Sequence, residues 1–458
     1  MNEINPAVLI KEIEGFLKRA DISSEDLICR HLFTKIKEGF SRTTPVLQEI
    51  ASLISKKRGI QSAYNIFLRM EVALGQRKPE IGIYDNAFHF IGGAQKYGCT
   101  IASALQQDFD VTLIANADIS LKQLKEWYDL DLSRCKLKTV KIPFFEARKE
   151  KNSIFDAGLV DLRENNPFHV ISKESGNYDI FVNNCMLEMV YPLANISEFI
   201  CHFPEREITR FFHVAEYSHI IYNSLYTAEW IKKRWKLDPH KHIYPPVDME
   251  SSSPKGKKEN VILSVSRFEL SGNKKQKEMV KAFMLLSDKY PDEMKKWKLV
   301  LAGGSIEKNI YLNKIRNLLK GIPESKIELK VNVSSDELKK LYRKAKIFWH
   351  FCGIGQTDPA CVEHFGMTTV EAMQNYCVPV IFNGGGQKEV VKDGESGFLF
   401  KDFKELCNKT LRLIRKPEKM QFLSEGAYTQ GKKFTKKIFS HKIKKHFGQL
   451  LKDYSFSD

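Results

Sequence analysis

Two series of short apolar runs, each alternating with helical segments, constrain the fold of this chain more than any other feature of its sequence. The first series starts near Pro79 and the second near Val261. Between them lie residues 244–248, with two consecutive prolines, and the polar run 250–258, a combination typical of a linker. Because strands that alternate with helices form parallel sheets covered by helices, the sequence predicts an α/β protein with two such domains.

The strand predictions rest on short runs rich in apolar and β-branched residues. They cover residues 81–84, 111–115, 179–182, 199–201 and 219–222 in the first series, and 261–265, 298–302, 327–329, 347–349, 378–382 and 396–400 in the second. The predicted domains are residues 78–248 and 259–425, followed by a basic helix over 426–458 that we expect to pack back on the first domain. Residues 1–77 show helical spacing without a strand signal, which predicts a helical extension whose role the sequence leaves open.

Size and composition narrow the class of protein. The chain has 458 residues, of which 43% are hydrophobic, enough for two buried cores. No run of 18 apolar residues occurs and the amino terminus lacks the layout of a signal peptide, so we expect a cytoplasmic protein without a membrane span. Nine cysteines without a Cys-x-x-Cys pair predict reduced thiols rather than disulfides or a metal site.

The formal net charge of +16 predicts attraction to anionic partners. Part of the excess lies in residues 430–458, where eight lysines face two aspartates. Apolar residues recur there at helical spacing: Phe434, Ile438, Phe439, Ile443, Phe447 and Leu451. Such a helix either lies on an anionic membrane surface or packs by its apolar stripe and leaves a solvated basic face, and both readings stay open. A nucleic-acid partner is not expected, because the basic residues accompany no recognised binding motif.

The segment from Glu363 to Glu371 carries the strongest functional signal. Gly366 suits a helix start, so we place Glu363 in the preceding loop and Glu371 in the second turn of the helix. A helix start offers unpaired N–H groups and a favourable dipole to an anion, here those of residues 366–368. A carboxylate on either side of a phosphate site can hold hydroxyl groups, one of a ribose and one of a sugar. The alternative is that Glu363 and Glu371 are ordinary glutamates at the ends of a helix, without a special function.

Cations that could face a diphosphate follow the first strand of the second series. Arg267 ends that strand, and Lys274 and Lys275 come shortly after it. Ligands bind at strand ends in such folds, and Arg and Lys both neutralise phosphate. Asp129 and Asp131 could in principle hold a metal ion, but aspartate at such positions usually caps helices or forms turns. We therefore expect no metal and no cofactor.

These residues resemble those of glycosyltransferase family 4, a retaining group with the GT-B fold. The pattern consists of Glu363-His364-Phe365-Gly366 with Val370-Glu371-Ala372-Met373, then Val378-Pro379-Val380, then Gly385-Gly386 with Glu389. The resemblance implies two Rossmann-like domains, a nucleoside-diphosphate sugar as donor, and a catalytic role for Glu363. It also implies that Phe365, Gly366, Met367 and Thr368 bind the donor with Glu371.

Further likenesses extend the resemblance over roughly residues 79–425. Ser266-Arg267-Phe268 with Lys274 is similar to the family's phosphate-clamping Arg and Lys, although the longer loop leaves Lys274 and Lys275 as alternatives. Gly92-Gly93 resembles the glycine loop that approaches the donor phosphate. Cys201-His202-Phe203-Pro204 and residues 222–227 and 243–248 are similar to the lipid-linked mannosyltransferase branch, which implies that His202 contacts the donor sugar or the acceptor.

The resemblance thus implies a retaining glycosyltransferase, most simply a hexosyltransferase, that acts on a glycan, lipid-linked or other cell-envelope acceptor. With the basic charge, it leads us to expect an enzyme peripheral to the inner face of a membrane. The base, the sugar, the acceptor and the oligomeric state stay open. A nucleotide-sugar epimerase of similar two-domain fold is one alternative, and a non-catalytic basic nucleic-acid binder is another.

Overall fold

The structure is a computed structural model that describes residues 6–18, 25–37, 44–146, 165–206, 209–249 and 258–455. The chain forms two compact units. The first unit contains Met1–Phe199, Thr209–His219 and His441–Asp458, and the second contains Ile200–Ile208 and Ile220–Ser440. The polar part of the predicted linker, residues 250–257, lies outside the described residues.

The amino-terminal segment is helical, as its spacing predicts. Its helices are α1 (Pro6–Leu17), α2 (Glu25–Lys37), α3 (Thr44–Arg58) and α4 (Ile60–Ala73). Ile13, Ile28, Ile54 and Ile66 meet in a buried apolar cluster of this segment, so the helices share a small core of their own.

The first sheet has seven strands in the order β3-β2-β1-β4-β5-β6-β7. The strands are β1 (Glu80–Tyr84), β2 (Asp110–Ala115), β3 (Lys136–Thr139), β4 (Ile180–Asn183), β5 (Ile196–Cys201), β6 (His219–Tyr222) and β7 (Lys241–His242). The accompanying helices are α5 (Gly93–Leu105), α6 (Leu121–Tyr128), α7 (Pro143–Glu146), α8 (His169–Ser175) and α9 (Leu225–Trp235). The strand order reverses between β1 and β4, which pair in parallel.

The second sheet has six strands in the order β10-β9-β8-β11-β12-β13. The strands are β8 (Glu259–Val265), β9 (Lys298–Gly303), β10 (Ile327–Val331), β11 (Ala345–His350), β12 (Val378–Phe382) and β13 (Phe398–Phe400). The helices are α10 (Gln276–Lys289), α11 (Pro291–Met294), α12 (Ile310–Leu318), α13 (Ser335–Lys344), α14 (Met367–Gln374), α15 (Gln387–Val390), α16 (Phe403–Arg415), α17 (Pro417–Gly431) and α18 (Lys436–Ser455). Here the order reverses between β8 and β11, and ligands bind at such reversals in open α/β sheets.

Every predicted strand is present, with ends that differ by a few residues. The sequence did not reveal β3 and β7. Strand β3 alternates two lysines with a leucine and a threonine at the edge of its sheet and is nowhere buried, so it lacks an apolar run. Strand β7 has two residues, too few to show any period.

The carboxyl-terminal helix α18 buries its apolar stripe and exposes its lysines. Phe439, Ile443 and Phe447 are buried, whereas Ile438 is 38% exposed. From His441 onward the helix belongs to the first unit, where Phe447 meets the ring of Phe109 edge-on. The stripe is therefore explained by packing, and the lysine face stays available to solvent.

Two further expectations concern redox state and membranes. All nine cysteines are free thiols, as expected. Among the described helices, none combines the length and apolarity that crossing a bilayer demands.

Candidate functional site

The reversal of strand order in the second sheet brings Lys274, His350 and Glu363 together. Lys274 lies in the connection after β8, His350 is the last residue of β11, and Glu363 lies in the loop before α14. The Glu363 Oε2 atom is 2.8 Å from the Lys274 Nζ atom and 3.3 Å from the His350 Nε2 atom. A partly exposed carboxylate is thus held at the strand ends by two nitrogen donors.

The charges of this cluster stabilise one another. Burial by itself would raise the pKa of Glu363, but the positive charge of Lys274 and the hydrogen bond from His350 hold that pKa well below its ordinary value. Burial by itself would lower the pKa of Lys274, but the facing carboxylate raises it above its ordinary value. At neutral pH the pair is therefore fully ionised, and Glu363 can only accept hydrogen bonds.

Helix α14 begins next to this carboxylate, as predicted. Gly366 has a φ of 96°, in the left-handed region that glycine adopts without strain. The N–H groups of Thr369 and Val370 both donate to the Gly366 carbonyl, so those of Met367 and Thr368 precede the first bonds of the helix and point to its amino-terminal end. An anion at this position would meet N–H groups and the positive end of the helix dipole.

Phe365 differs from its neighbours in the motif because it is buried in the protein. Its side chain is 3% exposed and packs against Tyr244 and Phe434. The Phe365 side chain is therefore not available to a ligand.

The glycine loop after β12 supports the Glu363 segment. Gly385 has a φ of 63°, and a Cβ atom added there would lie 2.1 Å from the Glu363 carbonyl oxygen. A Cβ atom on Gly386 would lie 1.8 Å from the His364 carbonyl oxygen, and the Gly386 N–H donates to Glu363 O at 2.9 Å. Glycines allow a backbone to be approached closely, and the close approach observed here is to the chain's own backbone.

Glu371 lies in the second turn of α14, as predicted. Its Oε2 atom accepts a hydrogen bond of 2.8 Å from the hydroxyl of Tyr342, a fully buried residue of α13. Burial, followed by the nearby Glu371 carboxylate, keeps the pKa of Tyr342 well above its ordinary value, so the tyrosine remains a donor. The carboxylate is thereby oriented before any ligand arrives.

The predicted cations occupy distinct positions. Arg267 follows β8 with a side chain that is 71% exposed and 3.1 Å from Glu269. Lys275 precedes α10 with a φ of 61°. Of the two lysines that the sequence left open, Lys274 contacts Glu363.

His202 follows β5 and is anchored through its backbone. Its carbonyl oxygen accepts hydrogen bonds from the Asn223 side chain at 2.9 Å and the Thr227 hydroxyl at 3.1 Å. The position of the residue is therefore set by the turn that opens α9.

His364, inside the motif, has a packing role. Its ring stacks on Phe203 with centroids 3.9 Å apart. Burial lowers the pKa of His364 to about 4, so the ring is neutral at physiological pH.

Glu389 has a role that the sequence did not reveal. Its two carboxylate oxygens each accept a 2.8 Å hydrogen bond from a backbone N–H at the start of α9, those of Leu225 and Tyr226. Tyr244 donates a third bond at 3.0 Å. Glu389 therefore caps α9, where the helix dipole favours a negative charge.

In the first unit, Gly92 and Gly93 open α5, as predicted. The Gly92 N–H donates to the Tyr128 hydroxyl at 3.0 Å. Behind this turn lies the fully buried carboxyl group of Asp85, which accepts hydrogen bonds from Gln95 and Asn184. Burial raises the pKa of Asp85 to about 6 despite these bonds.

Asp129 and Asp131 act as turn residues. Asp129 ends α6 in the left-handed conformation, with a φ of 52°. Asp131 Oδ1 accepts the Ser133 N–H at 3.0 Å. These geometries agree with the interpretation that Asp129 and Asp131 stabilise turns.

Sequence reasoning missed His350, Tyr342 and the capping role of Glu389. His350 had a usable signal, because it ends a buried strand at the edge where ligands bind. Tyr342 and Glu389 had none, because their partners are distant in sequence.

The chain is similar to known proteins over part of its length. Residues 248–430 match the family described as Glycosyl transferases group 1. The chain is 27% identical over 248 residues to the GDP-Man:Man(3)GlcNAc(2)-PP-Dol alpha-1,2-mannosyltransferase of Dictyostelium discoideum, covering 51% of this chain and 47% of that protein. It is 27% identical over 294 residues to mouse alpha-1,3/1,6-mannosyltransferase ALG2, covering 55% and 68%. The chain thus spans about half the length of the first of these relatives.

Solved structures agree in fold at low sequence identity. Anabaena Alr3699/HepE in complex with UDP and glucose has a TM-score of 0.60 at 18% identity, covering 81% of this chain and all of that one. TarM has a TM-score of 0.59 at 12% identity, covering 82% and 99%. Residues 248–430 are therefore similar to the glycosyl transferases group 1 family, and the chain has the GT-B fold with its two Rossmann-like domains.

Proposed function

We propose that the protein is a retaining mannosyltransferase that uses a nucleoside-diphosphate mannose and a lipid-linked glycan acceptor. The observation that carries the proposal is the ionised Glu363 carboxylate, held by Lys274 and His350 beside the open amino terminus of α14. The relatives named as GDP-mannose-dependent enzymes favour mannose and guanosine diphosphate.

Each part of the donor has a matching group in this proposal. The diphosphate meets Arg267, Lys274 and the N–H groups of residues 366–368. Glu363 accepts hydrogen bonds from the sugar hydroxyls, and Glu371, oriented by Tyr342, accepts those of the ribose. His202 contacts the sugar or the acceptor.

Charge development explains why these groups suit glycosyl transfer. As the bond between the sugar C1 and the diphosphate oxygen breaks, negative charge accumulates on the leaving group, where the cations and the helix dipole stabilise it. The acceptor hydroxyl attacks C1 from the same face and passes its proton to the departing phosphate oxygen. These charges replace a metal ion in the proposal, and no protein nucleophile is assigned.

A donor panel tests the proposal. The purified chain is incubated with GDP-mannose, UDP-glucose or ADP-glucose and a short-chain lipid-linked oligosaccharide, and the product is analysed by mass spectrometry and NMR. We expect transfer from GDP-mannose with the α configuration retained. Inversion at C1 would refute the retaining mechanism, and epimerised donor without acceptor would favour the epimerase.

We also propose that the exposed lysines of residues 432–445 hold the protein reversibly at an anionic membrane surface. The apolar stripe is occupied by packing, so the attraction comes from charge, about 1 kcal/mol for each lysine near an anionic bilayer. We expect sedimentation with anionic vesicles at low salt, release at high salt, and little binding to neutral vesicles. Replacement of Lys442, Lys444 and Lys445 by glutamine should weaken binding. A protein that stays in the supernatant with anionic vesicles at low salt contradicts the membrane role.

A further inference from the structure

A second cluster of titratable side chains lies in the first unit. Glu198 lies on β5, His219 begins β6 and His446 lies on α18. Glu198 is fully buried, His446 is 8% exposed, and the His219 side chain is 33% exposed. None of the three belongs to the donor site described above, whose Glu363, Lys274 and His350 lie in the second unit.

Both imidazoles point a ring nitrogen at the same carboxylate. The His219 Nδ1 atom is 2.8 Å from Glu198 Oε1, and the His446 Nε2 atom is 3.0 Å from Glu198 Oε2. The two rings meet edge-on with centroids 5.6 Å apart. One donor atom from each residue can be chosen so that all lie within 4.8 Å of one another.

The charge balance of this cluster favours a cation. A buried carboxylate is costly unless a positive charge compensates it. Within the described part of the chain, no lysine or arginine forms an ion pair with Glu198, and its partners are these two imidazoles. A divalent ion held by these three residues would supply that compensating charge.

We propose that Glu198, His219 and His446 bind one zinc ion that ties the carboxyl-terminal helix to the sheet. Two histidines and a glutamate are an established zinc donor set, with bonds of about 2.0–2.2 Å that place tetrahedral donors about 3.3 Å apart. The observed separations reach this geometry with small side-chain movements. The His219 side chain is 33% exposed, so solvent reaches this ligand of the cluster. The zinc stabilises the fold and takes no part in the proposed sugar transfer.

Direct metal binding tests the proposal. Tag-free full-length protein is stripped with a chelator, and zinc is then titrated in competition with a chromogenic chelator. We expect one zinc ion per chain. His219→Gln and His446→Gln should each weaken binding by more than about tenfold, because each removes a ligand. His441→Gln, an exposed histidine on the same helix, is the matched control and should bind zinc like the parent chain.

Thermal unfolding provides the second measurement. Zinc should raise the melting temperature of the parent chain and of H441Q, but not of H219Q or H446Q. H219Q guards against misfolding of the more buried H446Q, since its side chain is partly exposed. Absence of zinc binding by the parent chain, or an H441Q defect equal to that of H446Q, would overturn the proposal.

Discussion

The turns at the two points of reversed strand order use a carboxylate in opposite ways. In the first unit, Asp85 is fully buried behind the glycine turn, surrounded by amide donors, with its pKa raised to about 6. In the second, Glu363 is partly exposed and faces Lys274 and His350, with its pKa well below its ordinary value. The first carboxyl group supports the loop that encloses it, whereas the second keeps a permanent charge at a partly exposed position. Similar βα topology therefore does not assign the role of a strand-end carboxylate; its charged neighbours and exposure do.

Removal of the Glu363 carboxylate should have the largest effect on activity. Glu363→Ala is expected to lower kcat/KM for sugar transfer by about 100-fold or more, because a preorganised charge at the reacting sugar is lost. Glu337→Ala, on α13 with a side chain that is 43% exposed and paired with Lys330, is the matched control. Circular dichroism checks that both variants are folded. Unchanged turnover of the correct donor by Glu363→Ala would remove Glu363 from the site.

The two carboxyl groups should give stability opposite dependences on pH. At Asp85 the folded protein binds a proton more tightly than the unfolded chain, so the free energy of unfolding should fall by up to about 3 kcal/mol as pH rises from 3.8 to about 6. The lowered pKa of Glu363 contributes stability that is present above 4.5 and is lost as pH falls below it.

Urea unfolding across this pH range measures the contributions of Asp85 and Glu363 to the free energy of unfolding. Asp85→Asn should flatten the dependence between 3.8 and about 6, and Glu363→Gln the dependence below 4.5. If Asp85→Asn kept the parental slope, the contrast between the two sites would be wrong.

Lys274 contacts Glu363, whereas its neighbour Lys275 precedes α10. Substituting each in turn tests whether the position of the positive charge matters for donor binding. Lys274→Met should weaken donor binding by about 10-fold to 100-fold, since charge-assisted hydrogen bonds contribute about 1.5–3 kcal/mol. Lys275→Met, at the left-handed position before α10, should have little effect on affinity. Isothermal titration with the nucleoside diphosphate measures both. Equal losses in the two variants would mean that general positive charge, rather than Lys274, holds the diphosphate.

The glycines should show the smallest contrast. Gly385→Ala would force a Cβ atom against the Glu363 carbonyl at a positive φ, costing about 1–3 kcal/mol of unfolding free energy. Gly92→Ala keeps an extended backbone and meets the end of a side chain, Gln95, rather than a backbone carbonyl, so its loss should be smaller. Denaturant unfolding of both variants checks the order of the two losses, and the reverse order would contradict it.

Much of this organisation was predictable because it is locally encoded. Apolar runs identified the strands, and the Gly366 start of α14 followed from the conformational freedom of glycine. Edge strand β3 was not predicted, because its alternating lysines give no apolar run. The capping role of Glu389 was not predicted, because its partners at the start of α9 are far away in sequence.

The sequence by itself determined the two α/β series, the helical amino terminus and the position of Glu363 and Glu371 about a helix start. Only the tertiary structure decided that Lys274, rather than Lys275, meets Glu363, that His350 joins them, and that Glu198 meets two histidines from β6 and α18. The physical reason is that strand order is set by crossover connections and burial across the whole sheet. Adjacency of β8 and β11 brings their ends together, and no local pattern records that adjacency.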